Sequence, residues 1–237
     1  MPYQKARSLL GTGDLVFFFG TSDAGVLIEE LEEAAGWPPY SHVGMVVKDG
    51  DGLYLWDAPG SGNCFTDPYA SDPDNNEYKN PVHTGCRVSE LDEVLAYYMT
   101  KVGVNGFWVR QLTSGVSEDR FGALRRFVNR VDGQPFPSGP SLGDPEVTGL
   151  AANYVAGQKG MTLFYGTYFC AQLVADSYMH MGLLEMDVFP PNGYSPAAFA
   201  MNEPTTRLPL VAPATLGDVF FVDWGNGPTG GGTPCNQ

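Results

Sequence analysis

Glycine and proline punctuate this chain from end to end, 30 of one and 19 of the other in 237 residues. Glycine interrupts regular elements through its backbone freedom, proline through its fixed φ and missing N–H. A bundle of long helices is therefore excluded, and short elements joined by long connections are expected. The apolar fraction of 43% is enough for one substantial core at this length. The expected organisation is one α+β domain over residues 1–224, followed by a flexible Gly/Pro-rich tail at 225–237.

Apolar periodicity places the elements. Asp14-Leu-Val-Phe-Phe-Phe19 follows a Gly-Thr-Gly turn and reads as a buried strand. A helix capped by Ser22 or Asp23 runs to about Ala35, with Val26, Leu27, Leu31, Ala34 and Ala35 as its apolar stripe. His42 to Lys48 and Leu53 to Ala58 are strands, joined through Asp49-Gly-Asp-Gly52 as a hairpin. Residues 59–87 form a polar loop. A short helix opens at Ser89 with a Ser-x-x-Asp box. Phe107 to Leu112 is a strand, and Ser117 caps a helix burying Phe121, Leu124, Phe127, Val128 and Val131. Residues 134–166 read as a long connection, Tyr168 to about Met181 as a helix, and Asp218 to Val222 as a late strand.

The net charge is −14, from 13 basic and 27 acidic residues. Nucleic-acid binding needs a basic footprint and is not expected, and adhesion to anionic membranes is disfavoured. No stretch is long and apolar enough to span a bilayer, and no ordinary secretory signal is visible at the N-terminus, so an intracellular location is expected. The four cysteines, Cys64, Cys86, Cys170 and Cys235, lack a disulfide-framework spacing, and reduced thiols are the default.

Cys170 is the sharpest chemical candidate. It lies where the aromatic run Leu163 to Phe169 meets a helix, and unpaired N–H groups in a first helical turn favour a thiolate. The competing reading is a small buried hydrophobe beside Leu173 and Val174. His42 opens a strand and is the candidate base, with Gly44 leaving space behind it; a satisfied structural histidine is its alternative. Asp57, in the paired strand, can hold the second ring nitrogen and fix the tautomer, or can be an ordinary strand-end carboxylate.

Metal signals are weak. His83-Thr-Gly-Cys86, with Cys64 and His42, offers zinc-type ligands but no Cys-x₂-Cys knuckle. Asp72, Asp74 and Asn76 have the opening spacing of a calcium loop, but its glycine and closing glutamate are absent. No glycine-rich phosphate cradle and no Gly-x-Ser-x-Gly elbow is present. No metal and no organic cofactor is expected.

Several segments, taken in order, resemble the circularly permuted papain-like cysteine hydrolases of the NlpC-type superfamily. Gly13-Asp14-Leu-Val-Phe-Phe18 resembles the family's opening strand, Tyr40-Ser-His-Val-Gly-Met-Val46 its histidine motif and Leu53 to Ala58 the acidic strand that follows. Val109-Arg-Gln-Leu112 and the helix ending at Gly133-Gln-Pro-Phe136 resemble its middle region. Tyr168-Phe-Cys-Ala-Gln-Leu-Val174 resembles its nucleophile motif, and Tyr194-Ser-Pro-Ala-Ala-Phe199 its late Ser-Pro segment. The likeness spans roughly residues 11–222. It implies a permuted papain-like fold, with a central antiparallel β-sheet packed against helices that include the nucleophile helix.

The resemblance also implies acyl transfer on an amide or ester of a peptide-like or acyl-lipid substrate. Cys170 is the implied nucleophile, His42 the base and Asp57 the residue that orients it. The Cys170 amide is an implied oxyanion donor, with Tyr168 or Tyr165 as candidate helpers. Two positions depart from the family pattern: Asp57 stands where bacterial members usually have Glu, and Ala171-Gln172 where they usually have Ser-Glu. The alternative is a catalytically inactive papain-like scaffold used for binding or as a structural protein.

Overall fold

The computed structural model of the chain describes residues 1–19, 23–59, 85–102, 105–137, 145–161, 166–201, 208–225 and 227–228. Its architecture is α+β. Six strands form one antiparallel sheet: β1 (Leu15–Phe18), β2 (His42–Asp49), β3 (Gly52–Asp57), β4 (Arg87–Glu90), β5 (Gly106–Arg110) and β6 (Phe220–Asp223). Their order across the sheet is β4-β3-β2-β1-β5-β6, and every pairing is antiparallel.

The continuous apolar run in β1 has a direct cause. All four of its residues are buried, because helices cover both faces of the sheet. On one face Leu15, Phe17, Val43, Met45 and Trp56 pack with residues of α4 (Glu118–Val131) and α6 (Cys170–His180). On the other, Val16, Phe18, Val46, Leu55 and Phe107 pack with α3 (Leu91–Val102) and α1 (Tyr3–Arg7). Each fully buried side chain of this size contributes about 1.5–3 kcal/mol. Two buried bonds fasten α6 to the sheet: Trp56 Nε1 donates to Ser177 Oγ at 3.0 Å, and the Tyr178 hydroxyl donates to the Gly13 carbonyl.

β2 and β3 form the expected hairpin, but its strands extend further into the turn than the sequence suggests: Asp49 pairs with Gly52, leaving Gly50 and Asp51 to make the turn. The Ser117 side chain accepts from Arg120 N at the start of α4, and Leu124, Phe127, Val128 and Val131 are buried. Two expectations need correction. Residues 87–90 are a strand, with Ser89 paired to Leu55, and the helix begins at Leu91 rather than Ser89. The 134–166 connection contains α5 (Pro145–Gln158). Its glycines resemble those of a loop, yet Gly157 is a packing residue. A Cβ there would lie 2.4 Å from the backbone of Asn192 and Gly193, so only glycine permits the approach.

The short helices α1 and α7 (Pro196–Ala200) were not foreseen, nor was α2 (Asp23–Ala34) seen to carry a buried acid, Glu32. Most of the polar 59–87 loop and the 225–237 tail lie outside the described residues. Among the described residues no helix is long and apolar enough to cross a membrane.

Candidate active site

His42 is the first residue of β2, opposite Phe18 of β1. The two-residue period of a strand puts His42, Gly44 and Val46 on one face, the face covered by α3. The imidazole is accordingly packed between rings: its centroid lies 5.9 Å from Phe18 and 5.7 Å from Tyr98 of α3. Asp57 ends β3 on the same face. Its Oδ2 is 3.0 Å from His42 Nε2. Gly44 makes this diagonal approach fit, since a Cβ there would lie 2.7 Å from Leu55 Cδ1 and 3.3 Å from Asp57 Cβ.

A third residue, which the sequence reasoning missed, completes the pair. Arg87 of β4 is paired with Asp57 across the strands and points its Nε at Asp57 Oδ1 from 3.1 Å. The carboxylate is fully buried, with its two oxygens divided between a guanidinium and an imidazole. Burial alone would raise its pKa, but the Arg87 charge and the His42 bond outweigh this and hold it below the usual carboxylate range. An Arg one residue beyond a buried Cys carries no sequence signal of its own; only the β3–β4 register exposes its role.

Cys170 comes from the opposite side of the sheet. Phe169 is the N-cap of α6 and Cys170 its first helical residue. The helix start faces the start of β2, where Cys170 Sγ lies 3.9 Å from the Ser41 carbonyl oxygen. The thiol is close enough to the His42 ring to act on its titration, while the ring's Nε2 is taken by Asp57. Burial lowers the imidazole's pKa, but its interactions with Cys170 and Asp57 raise it more, so it is pushed up to about 9. Cys170 itself is buried, and His42 retains a 12% exposed side chain.

Cys170, His42 and Asp57 are thus brought into one cluster, the residue types that thiol activation requires. Tyr168 is placed differently from the sequence expectation. Its hydroxyl donates to Asp176 Oδ2 at 3.0 Å, so its proton is engaged there. Asp176 also contacts His180, whose ring stacks on Phe127. Tyr165 lies outside the described residues, as do Cys64, Asp72, Asp74, Asn76 and His83. Cys86 is fully buried, and burial pushes its thiol well up, which suits packing better than metal ligation. Among the described residues no three His, Cys, Asp or Glu side chains converge as a metal site.

No family profile matches the chain, and no curated protein matches it. Among solved structures, metalloprotein yiiX from Escherichia coli O157:H7 is similar at 18% identity with a TM-score of 0.47, covering 85% of this chain and 96% of that one.

Proposed function

We propose that the chain is a cysteine hydrolase or acyltransferase with a permuted papain-like fold, similar to the NlpC-type cysteine peptidases and amidases. The observation that carries this reading is the convergence of the Cys170 helix start on a His42 ring already held by Asp57 at 3.0 Å. Loss of the thiol proton to His42 generates the thiolate, which attacks an amide or ester carbonyl and forms a C–S bond. The helix-start amide of Cys170 stabilises the oxyanion. Collapse breaks the bond to the amine or alcohol, which leaves with the proton from His42. Water or another nucleophile then attacks the thioester, His42 takes its proton, and the thiolate is released. Asp57 keeps the imidazole in the required tautomer throughout.

The test is iodoacetamide alkylation of Cys170, followed by mass spectrometry in wild type and His42→Ala. An activated pair predicts a rate at pH 7 that drops at least about tenfold without the imidazole, the size of a one-unit change in thiol ionisation. A rate indifferent to His42 removes the catalytic reading and leaves a papain-like binding scaffold.

A further inference from the structure

A cavity of about 290 Å³ opens next to the nucleophile helix. Phe169, directly before Cys170, forms part of its wall, and so does Trp37, five residues before His42. The remaining sides come from Ile28 of α2, Leu150 and Ala151 of α5, and the Tyr194–Pro196 turn. The two segments that deliver the thiol and the imidazole are therefore also two walls of this space. We propose that the cavity holds the apolar arm, a straight alkyl or acyl chain, of the molecule whose carbonyl meets Cys170. The inference rests on the cysteine hydrolase reading and gives it a substrate class.

Three features carry the choice of occupant. The lining is aliphatic and aromatic apart from Glu32 and Ser195, the pattern of a pocket that binds by apolar contact and uses few polar groups. Burial holds Glu32 toward its neutral form. It is buried, its Oε1 accepts from Ala197 N at 2.8 Å, and burial pushes its carboxyl up to about 8. Size sets the length: at about 30 Å³ for each water-sized group, the space takes a chain of about ten heavy atoms. A folded partner or a bulky polar polymer does not enter such a volume.

The test uses the full chain carrying Cys170→Ala and straight-chain primary alcohols from butanol to dodecanol, titrated by calorimetry. Affinity is expected to rise about fourfold for each added methylene and to level off near ten carbons. Ala151→Trp, which fills the space from α5, is expected to abolish that rise. A series flat in chain length for the unfilled protein overturns the proposal, and this result is decisive whether or not Ala151→Trp folds. The two readings fail separately: a flat series speaks against the cavity, whereas alkylation of Cys170 indifferent to His42 speaks against the hydrolase.

Discussion

Arg87 and Asp57 face each other across the β3–β4 pairing with both side chains essentially out of water, Nε to Oδ1 at 3.1 Å. The pair fixes the carboxylate that in turn holds His42, so the orientation of the imidazole depends on a residue from a third strand. Removing one member of a buried pair leaves an uncompensated charge. Arg87→Met is expected to cost about 3–5 kcal/mol in a urea melt. Arg87→Lys keeps the charge but not the fork and should cost less. Arg87→Met should also move the acid limb of stability to higher pH. Asp57 has a lowered folded pKa, so its contribution is present above its unfolded value and is lost as pH falls through the folded one. Without Arg87 that loss begins earlier. An acid limb unchanged in Arg87→Met would rule out this account.

His42 gives the opposite sign. Its folded pKa, about 9, lies above the ordinary 6.5. The contribution is complete below 6.5 and disappears as pH rises to 9, because the native state holds a proton the unfolded chain has released. The interaction with Cys170 is the largest raising influence, so Cys170→Ala should lower the imidazole titration seen by NMR and flatten the alkaline slope of stability. An imidazole that titrates identically in Cys170→Ala would show that thiol and ring are uncoupled.

Gly44→Ala tests whether the diagonal approach needs an empty position. The new methyl would lie 2.7 Å from Leu55 Cδ1 and 3.3 Å from Asp57 Cβ. Overpacking of this kind costs about 1–3 kcal/mol. The expected result is a lower thermal midpoint together with slower Cys170 alkylation, since Asp57 is pushed from the ring. A loss of stability with unchanged alkylation would separate the glycine from the site.

Glu32→Gln is expected to stabilise. A carboxyl raised to about 8 keeps its proton in the native state while the unfolded chain ionises near 4.5. Stability therefore falls as pH rises between these values, and the Gln variant lacks that slope. Its advantage over wild type should be absent at pH 4 and grow up to pH 8, measured as the urea midpoint at each pH.

Much of the sheet was legible from local pattern. The β1 run, the Asp49–Gly52 turn and the Ser117-capped helix each carry their own signal, in apolar continuity, turn chemistry and a capping side chain. Cys170 at a helix start and Asp57 on a strand paired with that of His42 could be read for the same reason. What escaped depends on contacts between distant segments. Arg87 acquires its role from strand register. Gly157 looks like loop glycine until Asn192 is placed against it, and α5 was lost with it. Tyr168 lies two residues before Cys170 in sequence, yet its hydroxyl reaches forward to Asp176 in α6.

The thiol and the imidazole belong to different layers: α6 on one side of the sheet, and on the other the face shared by His42, Phe18 and Tyr98. Their separation is consequently a gauge of how the layers are seated. The Trp56–Ser177 and Tyr178–Gly13 bonds act as rivets further along α6 and help set where the helix sits on the strands. The chemical reactivity of a single sulfur atom thereby becomes a remote reading of the seam that joins helix to sheet.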